Sequence, residues 1–357
     1  MNQKFSYYMP TKIVYANNEL ENIAKYINGR KTILITSQGF LNRGFVDKIN
    51  TLTNSIVDIV TDVKSHPEFK DLEKTYNQIH KKEFELIVAM GGGSVLDTAK
   101  YFSVYNDTKE AKFVTNIIKA ETPKKNYKII PIISIPTTAG TGSEITPWAT
   151  IWDMNEKKKY SLHLSDLFSE VAIYDPTLTL SVPKNITIQT GLDTLSHALE
   201  SIWNKNANPI TIIYAVKSAK LIMQNLVQLC QNLDNLEYRD NIMKACMYAG
   251  LAFSNTQTAV AHAMSYYITA HKGIDHGIAC SFTLPMLIDN VVGKYDFIDD
   301  ALIEIFGELS SNKLRELLKK LDISTEFSDY GITAKKLKEL KSSLQNNQRA
   351  GNSLVLV

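Results

Sequence analysis

With 357 residues the chain exceeds the length at which a single hydrophobic core usually keeps growing, so two domains are expected. Hydrophobic residues make up 44% and charged residues 21%, the balance of an ordinary globular protein, and 39 basic against 37 acidic residues leave a formal charge of only +2. That near-neutrality supplies no basic field able to track a nucleic-acid backbone, which excludes nucleic acid as the expected partner.

The opening segment lacks a basic stretch followed by a long apolar run, and no segment reads as the roughly 20 apolar residues that span a bilayer. Cys230, Cys246 and Cys280 are widely spaced and form no CxxC pair, which suits a reducing compartment. A cytoplasmic protein without a membrane partner is expected.

In chain order, an extended start around Tyr7 to Tyr15 precedes the apolar run KTILITS (31–37), a helical GFVDKINTL, the run IVDIVTDV (56–63) and an amphipathic stretch from Glu68 to Lys82. ELIVAMGGG (85–93) then leads into a helical SVLDTAKYFSVY, and KIIPIISIPTT (128–138) follows. Apolar runs separated by helix-length segments predict a doubly wound parallel sheet covered on both faces, an α/β domain over residues 1–180. After DPTLTLSVP (175–183) the apolar spacing changes from two to three and four, as in ITIIYAVKSAKLIMQNLVQL (210–229), NIMKACMYAGLAF (241–253) and NKLRELLKKL (312–321). An all-α domain over 181–357 is expected, with Pro176 and Pro183 marking the joint.

Two loops carry chemistry in the first half. MGGGSVLDTAK (90–100) ends a strand and opens a helix, so Gly91, Gly92, Gly93 and Ser94 offer close backbone approach and free N–H groups to a pyrophosphate, against the plain alternative of a glycine turn. TTAGTGSEIT (137–146) follows the next strong strand and places hydroxyls among glycines, although the usual GxGxxG fingerprint is absent. In the second half Asp193 and His197 stand four apart in GLDTLSHALE, on one helix face, and His262, His271 and His276 follow in HAMSYYITAHKGIDHG. One acid and three imidazoles make a donor set for Fe²⁺ or Zn²⁺. A lone histidine is more often an ordinary hydrogen-bonded residue, which is the reading for His66, His80 and His163; His271 stays open.

GGGSVLDTAK, TTAGTGSEIT, the DP of IYDP, GLDTLSHALES and HAMSY…DHGIACSFTLP occur in the order and at about the spacing seen in the iron-containing (group III) alcohol dehydrogenases, and the resemblance spans roughly residues 5–350. It implies an N-terminal nucleotide-binding domain followed by a helical one, the fold shared with dehydroquinate synthase. It further implies metal ligation by Asp193, His197, His262 and His276. Cofactor contacts are implied at Gly91, Gly92, Gly93 and Ser94, with Asp97 in the following helix, and at Thr137, Thr138, Thr141, Thr146 and Lys159. The implied reaction is hydride transfer between NAD(H) or NADP(H) and a small aldehyde or primary alcohol, and homodimers are common among relatives.

Two positions depart from the family pattern. Many NAD-using members have an Asp where this chain has Ser37, and without that carboxylate a 2′-phosphate is not repelled, so NADP(H) is the expected cofactor. Many members have a second His where this chain has Tyr266; His271 is the substitute for a proton relay. HAMSYYITAH, KKKYSLHLSDLF (157–168) and QRAGNS (348–353) are similar to the phosphonoacetaldehyde reductase branch, for whose anionic substrate Lys157, Lys158, His271, Lys272 and Arg349 are the candidate bases. Alternatives are a reductase of another small aldehyde or of a sugar-acid terminal carbon, and a metal- and NAD-dependent cyclase like dehydroquinate synthase.

Overall fold

The computed structural model describes residues 4–120, 126–154, 156 and 158–355. Lys157 therefore lies outside the described residues. The chain forms two compact units, one of residues 10–138 and 143–179, the other of residues 4–9, 139–142 and 180–355.

The strands of the first unit are β1 (Lys12–Tyr15), β2 (Thr32–Thr36), β3 (Ile56–Val60), β4 (Leu86–Gly91), β5 (Val104–Tyr105), β6 (Lys128–Ile129), β7 (Ile132–Pro136), β8 (Trp148–Asp153), β9 (Lys158–His163) and β10 (Val171–Tyr174). Its helices are α1 (Ile23–Ile27), α2 (Gln38–Asn42), α3 (Phe45–Leu52), α4 (Phe69–Ile79), α5 (Gly93–Ser103) and α6 (Ala111–Lys119). Six strands make one wholly parallel sheet in the order β1-β10-β7-β4-β2-β3. Along β2 and β4 the side chains alternate between two buried faces. Ile33, Ile35, Ile87 and Ala89 pack with residues of α4, α5 and α6, while Leu34, Leu86, Val88 and Met90 pack with residues of α1, α2 and α3. Both faces are covered, which is why these strands read as unbroken apolar runs. From β2 the chain turns one way to β3 and the other way to β4, so the strand order reverses between them, and ligands of such sheets bind beyond the carboxyl ends at that point.

The run 128–138, expected as one strand, is interrupted at Pro131, which has no N–H to give a ladder. Lys128–Ile129 pairs with β5, and only Ile132–Pro136 enters the main sheet. The antiparallel hairpin of β8 and β9 and the strand β10 were not expected. Asp175, the acid of the DP motif, is spent inside the fold: Oδ1 accepts from the backbone N–H of Asn18 (2.9 Å) and Oδ2 from that of Leu20 (3.3 Å).

The second unit contains α7 (Lys184–Ile202), α8 (Pro209–Gln231), α9 (Leu236–Thr256), α10 (Val260–Lys272), α11 (His276–Ser281), α12 (Leu284–Val291), α13 (Asp296–Phe306), α14 (Asn312–Lys320) and α15 (Ala334–Leu344). Asn208 caps α8, accepting from the N–H groups of Ile210 and Thr211, with Pro209 preset in the first turn. By length and composition α8 could cross a bilayer, more than the sequence reading allowed for; Ala215, Ala219, Ile222, Leu226 and Leu229 bury its inner side in the helical core. The buried guanidinium of Arg239 on α9 ties down the start of α7, donating to Thr187 Oγ1 (2.9 Å) and to the Val182 carbonyl (2.8 Å).

Candidate functional site

Helix α7 is the spine of the site. Asp193 and His197, four residues apart, project from one face and are each 5% exposed. His262 comes from the first turn of α10 and His276 opens α11. All three imidazoles turn an Nε2 toward one carboxylate oxygen: Asp193 Oδ1 lies 3.9 Å from His197 Nε2, 3.5 Å from His262 Nε2 and 3.9 Å from His276 Nε2. Donors bonded at 2.0–2.2 Å to one tetrahedral ion stand roughly 3.3–3.6 Å apart, so this spacing is that of a slightly relaxed coordination shell.

Packing fixes how closely these helices meet. A Cβ at Gly277 would stand 1.9 Å from the Gln189 carbonyl oxygen on α7, so only glycine lets α11 bring His276 against Asp193. The His197 ring is stacked between Phe253 (4.0 Å between centroids) and His262 (4.5 Å). In the loop 139–142, Gly142 has φ of +59° and a Cβ there would meet the Phe253 ring at 2.7 Å.

Glu200, fully buried one turn beyond His197, orders the far side of the cluster. Its Oε2 accepts from His262 Nδ1 (2.6 Å) and from the Ala259 N–H (2.9 Å), and its Oε1 accepts from the Ala261 N–H (2.5 Å). One carboxylate thus caps the start of α10 and fixes the His262 tautomer that leaves Nε2 as a lone-pair donor. Ser265 donates to the His262 carbonyl (2.8 Å), and its oxygen lies 3.3 Å from His276 Nδ1, where it can accept the proton that frees His276 Nε2. Sequence reasoning missed Glu200, although Asp193, His197 and Glu200 repeat at helical spacing within the quoted motif.

Burial opposes the Asp193 charge, but the imidazoles of His197, His276 and His262 hold its carboxyl well below the usual range. Burial pushes the His197 imidazole down to about 4 against the pull of Asp193, and neutral imidazole is the form that binds metal. Burial would likewise depress His262, but Cys280, Glu200 and Asp193 around it raise it well above the ordinary value. Asp193 Oδ1 and His262 Nε2 are buried without a hydrogen-bond partner of normal geometry. Two such groups facing one another must share a cation, either the proton that the raised His262 holds or a metal that displaces it, and the all-acceptor set left when that proton goes suits a divalent ion.

Tyr266, where many relatives carry a second His, stacks against His276 (6.3 Å, 15°) and carries the Arg349 guanidinium over its ring at 5.2 Å. His271 is a correction. Nine residues beyond His262 on α10, it lies about 13 Å along the helix and on the opposite face. Its ring is exposed and stacked on Tyr267, so it does not reach the donor cluster. Lys272 is exposed and donates to the Gly331 carbonyl (2.7 Å), and Lys158 is exposed over the Tyr160 ring.

In the α/β unit, Ser37, Gly91 to Gly93 and the pair Thr137 and Thr138 follow the adjacent strands β2, β4 and β7 at their carboxyl ends. None of the three glycines has a positive φ; space is what requires glycine at two of them. A Cβ on Gly91 would strike Val95 at 2.5 Å, and one on Gly92 would crowd Thr138 Oγ1 at 3.2 Å. Ser94 donates to the Ser65 carbonyl (2.6 Å). Asp97 and Thr146 are engaged internally. Asp97 accepts from Ser143 Oγ (2.6 Å) and the Thr150 N–H (2.9 Å), and Lys100, buried, donates to the carbonyls of Ser143, Thr146 and Trp148. Together they pin residues 143–150 to α5, so their part in any cofactor site is to shape that loop. Lys159 is half-buried on β9 beside Trp152, and Thr141 belongs to the helical unit.

Residues 10–176 match the family described as iron-containing alcohol dehydrogenase, and residues 187–352 match the C-terminal part of that family. The chain is 29% identical to sulfoacetaldehyde reductase of Bilophila wadsworthia (strain 3_1_6), over 98% of this chain and 96% of that protein. It is 31% identical to an alcohol dehydrogenase of Thermococcus barophilus, over 94% of this chain and 87% of that one. The crystal structure of sulfoacetaldehyde reductase from Bifidobacterium kashiwanohense in complex with NAD+ superposes with a TM-score of 0.90 at 28% identity, covering 99% of this chain and 95% of the other.

Proposed function

The chain belongs to the iron-containing alcohol dehydrogenase family, and from that premise we propose that it reduces a small aldehyde bearing an anionic head, a phosphonate such as phosphonoacetaldehyde or a sulfonate, at a metal held by Asp193, His197, His262 and His276. The observation that carries the reading is the convergence of three Nε2 atoms on Asp193 Oδ1 within 3.5–3.9 Å. When bound, the cation supplies charge that favours a developing alkoxide, and the nicotinamide supplies the hydride.

The protein's own residues do the rest. Asp193 lowers the ion's charge to about +1 by simple counting, which still favours an alkoxide. Glu200 and Ser265 hold two imidazoles in the tautomer that faces the metal. Arg349, anchored on Thr258 Oγ1 (2.8 Å) and lying over the Tyr266 ring that stacks on His276, is the cation this reading assigns to an anionic substrate head. Tyr266 Oη is the group proposed to deliver the proton to the alkoxide. Ser37 at the end of β2, where many NAD-using relatives carry an Asp, supports NADP(H), and the names of the sulfoacetaldehyde reductases support an anionic two-carbon aldehyde. A cytoplasmic homodimer is the working state this reading assigns.

An aldehyde panel with NADPH and NADH on metal-reconstituted protein tests it. Phosphonoacetaldehyde or sulfoacetaldehyde should exceed propanal in kcat/KM, with Arg349→Ala removing most of that preference and Tyr266→Phe lowering kcat more than it raises KM. Equal rates with neutral aldehydes would defeat the substrate assignment, strict NADH use would defeat the cofactor assignment, and absence of net NAD(P)H oxidation would point to cyclase-like chemistry.

A further inference from the structure

The donor cluster is larger than the four residues named so far. Cys280 lies one turn after His276 on α11, as His197 lies one turn after Asp193 on α7. Its sulfur is buried and stands 3.8 Å from His276 Nε2. Asp193, His262, His276 and Cys280 each offer one ligand atom, and the four atoms lie within 4.8 Å of one another. Two of them, Asp193 Oδ1 and His262 Nε2, are the buried orphans described above. Around one four- or five-coordinate ion with nitrogen at 2.0–2.1 Å and sulfur at 2.3 Å, neighbouring N and S atoms stand roughly 3.1–3.6 Å apart, a little inside the separation seen.

We propose that Cys280 is a ligand of the bound metal, giving the centre a sulfur donor in addition to its carboxylate and imidazoles. This rests on the reading that the cluster holds a divalent cation. The sulfur faces the ligand imidazoles at hydrogen-bond distance from His276, and Cys280 is the cysteine that joins a donor group of metal-binding spacing among the described residues. Thiolate is a soft donor, so its presence tilts the site toward Zn²⁺ over Fe²⁺ beyond what imidazole and carboxylate alone would do. On binding, the Cys280 S–H proton is released to solvent and the sulfur lone pair forms the metal bond. The extra negative charge also makes the ion a weaker acid.

Cobalt(II) substitution of the full-length protein reads the donor set directly. The visible ligand-field bands report that the ion sits in the cluster, and a sulfur-to-cobalt charge-transfer band in the near ultraviolet reports thiolate coordination. The expected result is both bands in the wild type, with Cys280→Ser losing the near-ultraviolet band, keeping the visible ones, and binding Zn²⁺ relative to Fe²⁺ about tenfold less selectively, the scale of a lost metal partner. Visible bands without charge transfer in the wild type would overturn the sulfur ligand and leave the four-residue centre standing. A charge-transfer band that survives in Cys280→Ser would also overturn it. Absence of visible bands in folded protein would overturn the metal reading itself, and this inference with it.

Discussion

Glu200 is the residue on which the geometry of His262 depends, and it acts through that histidine. It spends one charge on three N–H groups, two of them at the start of α10, so the helix end and the imidazole are oriented by the same carboxylate. Glu200→Gln keeps the shape but removes the charge, and it obliges an amide N–H₂ to face one of three donors. Metal affinity in this variant should fall about 10–100-fold, the usual cost of losing such a partner. Competition against a calibrated chelator measures it. As a positioning residue, Glu200 should leave kcat largely recoverable at saturating metal; a kcat that stays depressed with the site full would assign it a direct part in the chemistry.

Among the elements, α11 is the most tightly specified, because Gly277 allows it to touch the backbone of α7. Gly277→Ala places a carbon where the Gln189 carbonyl oxygen lies and within 3.2 Å of Asp193 Cβ, and backbone cannot give way cheaply. Helix α11 should therefore shift outward and take His276 from the cluster. Metal content at stoichiometric loading should fall to less than half, with far-ultraviolet circular dichroism unchanged; full loading would mean that α11 tolerates displacement. The sequence made some of this legible and hid the rest for a physical reason. Buried strands such as β2 and β4 read as apolar runs because both their faces are covered, and Asp193 and His197 were visible because helical spacing is local. The interruption at Pro131 separated β6 from β7, and the β8–β9 hairpin, a two-stranded sheet of its own, was not picked out of the sequence. His271 was the substitute for the second His that the family pattern places at Tyr266; rotation along α10 turns it away from the cluster. Glu200 acts on His262, distant in sequence and on another element, which spacing alone does not rank, whereas Cys280 stands one turn after His276, a local spacing that the sequence reading passed over.

At the scale of the whole molecule, each unit has its own buried core: the sheet unit packs on two faces, the helical unit around α7, α8 and α9. All of the proposed metal ligands, Cys280 included, belong to the helical unit, and they come from three separate helices. A cation there ties together α7, α10 and α11, so its binding energy should appear as stability of that unit. At a free metal concentration one hundred times Kd the gain is about 2.7 kcal/mol. For a unit of this size that corresponds to roughly 5–10 °C in Tm. Hydrogen exchange followed by mass spectrometry should locate the effect: chelation should speed exchange in α7, α10 and α11 while β2, β4 and β7 keep their protection. The orphaned Asp193 Oδ1 and His262 Nε2 make the sign clear, since removing the ion exposes their uncompensated burial without touching any residue of the sheet. If chelation left both the melting profile and the exchange of α10 and α11 unchanged, the cluster would have to satisfy its own buried charge, and the case for a resident metal would fail with it.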